Sequence, residues 1–168
     1  MVTGLKATSA LVSIGFSVTE PALNTFTETQ IDLNLSPLDR EVFVVLSANM
    51  DLGFPDNTAG ASSRVTGAIT TTRQLTMPSL ADANCFAVKN ESIRGNAIGA
   101  VSFSSGGNET SPTNQEFLTI VATNDFFAQI QGVGNVNPKV LAGKVYGYRA
   151  RASADIFAAL VQSEVLSA

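Results

Sequence analysis

Two acidic groupings in this chain have the residue types to do chemistry. Glu28 and Asp32 stand four apart in an alternating polar and apolar segment, and paired carboxylates can serve glycoside hydrolysis or hold calcium. On an extended strand, residues four apart lie about 13 Å from each other, farther than two cooperating carboxyls stand, so this pair reads as a solvated strand face. Asp51, Asp56 and Asn57 flank Gly53-Phe54-Pro55 and offer hard oxygen ligands for Ca²⁺, although loops use the same residue types for turn geometry alone. Tyr146 and Tyr148 share one face of a strand, and Arg149 and Arg151 share the other. They offer either a cation–aromatic surface for sugar or nucleic acid or, as the reading preferred here, salt bridges within or between subunits.

The stronger signal is what is missing. The chain of 168 residues has no His and no Trp, and Cys85 is its one cysteine. Without His there is no Ser-His or Cys-His nucleophile pair and no His-containing zinc site. Cys85 cannot form an internal disulfide and reads as a small buried hydrophobe. No nucleophile elbow, phosphate loop or EF-hand spacing occurs. The expectation is a protein that is not an enzyme, with no catalytic, cofactor-binding or metal-binding residues and no cofactor. Sequons at Asn34, Asn90 and Asn108 match the number chance supplies in a chain this rich in Asn, Ser and Thr, and carry no weight.

Composition points the same way. Only 14% of residues are charged and the net charge is −4, while Ser and Thr number 16 each and Gly 13. The Lys and Arg residues are scattered, which disfavours the clustered cationic surface that phosphate binding needs. A neutral surface with few long charged side chains repels other copies weakly and loses little side-chain entropy on contact. The segment from Ala10 to Val18 faintly resembles a signal peptide, but Ser13, Gly15 and Ser17 break its apolar run. No stretch approaches the length of a membrane span. The chain is expected to begin at or near Met1 and to be soluble.

The elements that must position these groups follow a period of two. Val12, Ile14, Phe16 and Val18 share one face of a strand over 11–18, and Ile31, Leu33 and Leu35 share one over 25–35. A turn at 36–40 leads into the most apolar strand, 41–51, with Val42, Val44, Leu46, Ala48 and Met50 on one face. Its first half is apolar on both sides, so it is expected centrally in a sheet. A long loop spans 52–63, and a Thr-rich strand runs from Arg64 to about Met77, ended by Pro78. A single helical turn at 80–84 precedes a short strand 85–89, then a strand 98–104 and a flexible tip 105–114. Strands 117–123 and 126–133 are separated by Asn124-Asp125 as a turn centre, and 144–152 closes the sheet. From 154 to about 166 the period changes, and Ile156, Phe157, Leu160, Val161 and Val165 form a helical stripe behind Ser153, with a final strand as the alternative.

About eight strands in one domain of 17.5 kDa imply an all-β, antiparallel β-sandwich, a single jelly roll with a short C-terminal helix. The domain is taken as 1–168, with an N-terminal arm at 1–9 and a C-terminal helical segment at 153–168. Both ends can reach a neighbouring copy, which suits a building block. The segment from Ile31 to Leu52, with Thr70-Thr71-Thr72-Arg73 downstream, resembles the small single-jelly-roll capsid proteins of tailless viruses. That resemblance implies a virion structural protein, a capsid subunit that self-assembles into a shell. Its partners would be copies of itself and other capsid proteins, without sequence-specific nucleic-acid binding. The alternative is a carbohydrate- or surface-binding β-sandwich module, an adhesin or fibre component at the cell surface. With no Trp and two Tyr, its aromatic platform is hard to assemble.

Overall fold

A computed structural model describes residues 4–111 and 115–166. The strands are β1 (Leu5–Ala7), β2 (Val12–Thr19), β3 (Thr27–Asp32), β4 (Glu41–Leu52), β5 (Ser63–Thr70), β6 (Cys85–Gly95), β7 (Ala100–Gly106), β8 (Asn108–Thr110), β9 (Thr119–Val121), β10 (Asp125–Val133) and β11 (Val140–Ala152). Helix α1 (Ala154–Leu166) follows. One sheet places β1 and β2 along one side of β11, β4 along the other, and β8 and β9 beyond β4; the second runs β3-β10-β5-β6-β7.

The pairings define the topology. β2 pairs with β11, β3 with β10, β4 with β8 and β9, and β5 with β6, all antiparallel. First pairs with last, second with next to last, and so inward, alternating between sheets. That is a long hairpin rolled into two Greek keys, a jelly roll. β1 and β7 are additions to the roll. Between the sheets lies one core that includes Val18, Leu33, Phe43, Val45, Met50, Ile69, Phe126, Ile130, Leu141 and Val145, with Phe16 and Phe126 edge to face at 6.1 Å.

β4 is central and covered on both sides, but its faces differ from the simple alternation. Phe43 and Val45 enter the inter-sheet core, as do Ala48, Met50 and Leu52, while Val42 and Val44 face away from it. The slip is a β-bulge: Tyr146 pairs with Ser47 and Gly147 with Val45, leaving Leu46 without a partner on β11. One extra residue reverses the inward parity, so Val42, Val44 and Leu46 do not share a face with Ala48 and Met50. The bulge depends on Gly147. A Cβ there would lie 2.3 Å from the Val44 carbonyl oxygen and 2.8 Å from the Phe43 ring. Gly147→Ala is therefore expected to cost about 1–3 kcal/mol, read as a lowered urea midpoint; an unchanged midpoint would mean the bulge relaxes freely.

Other elements depart from the sequence reading for local reasons. The Thr-rich strand stops at Thr70, because the Thr70 hydroxyl donates to the Thr72 carbonyl and Thr71 N–H turns to the Asn84 carbonyl. Over 80–84 there are turns in place of a helical turn, with Asp82 N–H donating to Ser79 and Cys85 N–H to Asp82. β6 is 11 residues long, more than twice the expected strand. Asn124-Asp125 is a crossing between sheets, since β9 pairs with β4 and β10 with β3 and β5. β11 sits inside its sheet, between β1/β2 and β4, and does not close it. Of the expected flexible tip, 108–110 forms β8 and 112–114 lies outside the described residues.

Helix α1 begins one residue after β11 ends, so it lies back over the sheet it leaves. Ile156, Phe157, Leu160 and Val161 pack on Val42, Val44, Leu5, Ala150 and Ala152. Val42 and Val44 are the residues that the bulge turns outward, and the stripe is the cover they need. Residues Leu5–Ala7 of the N-terminal arm add to β11 of their own chain, and Ser153 N–H donates to the Gly4 carbonyl.

Candidate functional site

The acidic residues singled out by spacing are held apart by their elements. Glu28 lies on the outer face of β3, accepting from Arg73 Nε at 3.1 Å, Gln74 N–H at 2.7 Å and Gln129 Nε2 at 3.1 Å. Asp32 lies opposite Asp125, and Gln30 Nε2 bridges the two at 3.2 and 2.7 Å. Burial and the Asp32 charge push the Asp125 carboxyl upward. Glu28 and Asp32 thus have separate partners and do not converge.

Asp51 is exposed on β4, whereas Asp56 belongs to a network binding three connections, 20–26, 53–62 and 134–139, at one end of the sandwich. Asp56 accepts from Lys139 Nζ at 2.7 Å and from Val136 and Asn137 N–H at 2.9 Å each. Beside it, Asn135 takes the Asp56 N–H and exchanges hydrogen bonds with Asn24. Buried Glu20 accepts from Gly132 and Lys139 N–H at 2.6 and 2.9 Å. The oxygens of Asp56 are occupied by donors, and no group of three His, Cys, Asp or Glu gathers among the described residues. Sequence spacing missed this network, because Glu20 meets Gly132 and Lys139, and Asn24 meets Asn135, across more than 100 residues that only the roll brings together.

Lys139, aided by the Val136 and Asn137 donors and opposed by burial, holds Asp56 down at about 2, against 3.8 ordinarily. A folded-state value below the unfolded one stabilises the fold above the unfolded value and loses that contribution as pH falls through the folded one. Urea midpoints should therefore fall between about pH 4 and pH 2 more steeply in the wild type than in Asp56→Asn. Parallel curves would remove Asp56 from the acid response.

Cys85 is buried against Ala68, Val88 and Met77, and burial pushes its thiol up to about 11, so it is unreactive at neutral pH. Tyr148 lies under α1 and Tyr146 stays half-buried on the open part of the same face, so the two tyrosines form no shared platform. Arg149 approaches Glu41 at 3.9 Å and donates to the Leu33 carbonyl, and Arg151 pairs with Asp39 at 3.1 Å. Both are intrachain contacts. At the far end of α1, Glu164 is buried and accepts from Ala122 and Thr123 N–H at 3.0 Å each. Burial still pushes its carboxyl upward.

What the molecule leaves open is surface. β7 is exposed along its whole length, with Val101 59% and Phe103 53% accessible. Phe54, 82% accessible, shares with Phe103, Ile93 and Pro55 a shallow hollow of about 380 Å³. At the hairpin tip, Asn96 Oδ1 accepts from Ile98 and Gly99 N–H, leaving the Ile98 side chain 97% exposed. The adjoining crevice of about 510 Å³ is lined by neutral residues of this tip and of 57–60. Exposed apolar groups on a fixed framework suit contact with another macromolecule better than enclosure of a small molecule. No described helix is long and apolar enough to cross a membrane.

No protein-family model matches the chain, and no curated protein does. Among solved structures it is similar to VP1 of Trichodysplasia spinulosa-associated polyomavirus in complex with 3'-sialyllactose, at 7% identity and a TM-score of 0.41, covering 91% of this chain and 98% of that one. It is also similar to the unassembled VP1 pentamer of Merkel cell polyomavirus, at 8% identity and a TM-score of 0.37, covering 89% and 98%. A third is Desmodium yellow mottle tymovirus, at 11% identity and a TM-score of 0.26, covering 86% and 84%. These neighbours are viral capsid proteins. With TM-scores below 0.5 they add nothing to the jelly-roll assignment, which rests on the strand pairings.

Proposed function

We propose that this chain is a structural subunit of a virus shell, resident in the virion. It acts by packing against copies of itself and other shell proteins, without catalysis. The observation that carries the reading is the contrast between closed and open surfaces. The inter-sheet layer is a continuous apolar core, α1 covers the second apolar layer, and half of the Lys and Arg residues are in ion pairs within the chain. Outside, beside scattered exposed side chains, stand an uncharged strand edge and an apolar loop end held by hydrogen bonds.

Other common uses of a jelly roll fit less well. A metal-centred barrel enzyme draws on His, which the chain lacks. A sugar-binding face stacks aromatics and pairs them with polar side chains; the chain has no Trp, Tyr148 is half-buried beside α1, and the exposed Phe54 and Phe103 flank a hollow whose one charged group, Glu91, is in an ion pair with Lys89. Nucleic-acid binding would need an extended cluster of free cations, yet Arg73, Lys89, Lys139, Arg149 and Arg151 are in ion pairs, and of the other five just Arg64 and Arg94 line one hollow. Size-exclusion chromatography with light scattering tests the reading. Mass rising with concentration to large, discrete species supports it, and a monodisperse monomer at high concentration contradicts it.

A further inference from the structure

We propose that β7 is an assembly strand, pairing antiparallel with β7 of a second copy about a two-fold axis and joining two five-stranded sheets into one of ten. The proposal builds on the shell-subunit reading, and names one contact that such a subunit makes.

β7 does little for its own monomer. The jelly roll is complete without it, and no residue from Ala100 to Gly106 is buried. Fixing each residue of the strand costs backbone entropy, offset here by one ladder to β6 and little burial. Edge strands in monomeric proteins are usually blunted by charge, Pro, a bulge or a cover. β7 has none of these: its sequence is Ala-Val-Ser-Phe-Ser-Ser-Gly, and its register with β6 is unbroken from Gly106 to Ala100. The other edges differ. β3 carries Glu28 and Asp32, β1 carries Lys6, and β8 and β9 are three residues each. β2 is uncharged too, but it is half-buried at alternate residues.

The geometry selects the partner. All neighbours in the five-stranded sheet are antiparallel, so its outer strands, β3 and β7, run in the same sense. Continuing the sheet from β7 into β3 of another copy would make a parallel pair facing two acidic residues. Pairing β7 with itself is antiparallel, the more stable arrangement per residue. A two-fold axis also sets like residues near like, which only an uncharged strand tolerates. Centring the pair on Ser102 sets Val101 opposite Phe103 of the other copy, an aromatic–β-branched cross-strand pair. Phe54 beside the edge adds apolar surface to the contact.

Ser102→Cys places two cysteines opposite each other, within disulfide reach across an antiparallel pair. Ser104→Cys sets them four residues out of register. Under mild oxidation, Ser102→Cys is expected to give a covalent dimer and Ser104→Cys none, with the buried Cys85 not competing. Equal crosslinking, or none, overturns the proposal. Ser102→Lys, an exposed change whose folding is checked by circular dichroism, should abolish both the dimer and the shells. If Ser102→Lys still forms shells like those of the wild type, the β7 contact is wrong and the shell reading stands. If Ser102→Cys crosslinks as a dimer but no variant builds larger particles, the β7 contact stands and the shell reading fails.

Discussion

Val45→Asp is expected to abolish folding. Val45 is 1% exposed, between the two sheets, packed with Phe43, Val121 and Phe126 in the main core. A carboxylate there has no partner and no route to water. An unpaired buried charge costs several kcal/mol, against a total stability of about 5–15 kcal/mol for a domain. Circular dichroism of the purified variant should show loss of the β signal, or the variant should be recovered only as aggregate. A soluble variant with the wild-type spectrum would mean that the inter-sheet layer is not the core described here.

Truncation after Ser153 should be severe but different in kind. It removes α1, whose Ile156, Phe157, Leu160 and Val161 are half-buried against the outer face of the sheet. Four such side chains contribute roughly 3–6 kcal/mol at half burial, and their loss uncovers Val42, Val44, Leu5 and Ala150. For a domain of this size, that is a fall in Tm on the order of 10–20 °C, with gain of binding by a dye for exposed apolar surface. A single residue joins β11 to α1, so the helix cannot readily reach a neighbour, and its loss should act on its own subunit first. Val44→Asp tests the same layer. Its carboxylate can reach water if the helix undocks, so the variant should resemble the truncation, and combining the two should cost little more than either alone. An unchanged Tm in the truncated chain would show that the helix does not stabilise its own sandwich.

These two variants differ by one sequence position on the same strand, and the difference was not legible in the sequence. Val42-Phe43-Val44-Val45-Leu46 is apolar throughout, so its pattern hides which residues face which layer. The phase slip comes from a bulge opposite Gly147, about 100 residues away, and no local signal marks it. Where one face is wet, as in β2 and β3, alternation alone placed Val12, Ile14, Phe16, Val18 and Ile31 on the core side; the expected strand over 25–35 ends at Asp32, and Leu33 and Leu35 reach the core from beyond it, on either side of Asn34 at φ 51°. The helix was legible through its change of period; that its stripe covers its own sheet was not, since the sequence equally allows this end to reach a neighbouring copy. Thr70 to Asn84 misled because Thr favours strands by propensity, yet its hydroxyls here turn the chain by bonding nearby backbone. The neutral surface could be read from composition. Which of its parts remain uncovered could not, since that depends on strand order, and β7 became an edge only through the order of pairing.

The proposed shell subunit packs against its own kind. Negative-stain electron microscopy of the purified full chain, concentrated stepwise at low and at high salt, should then show closed particles of uniform diameter, absent from Ser102→Lys at the same concentration. A field of separate monomers under every condition, with the chain folded by circular dichroism, would contradict it.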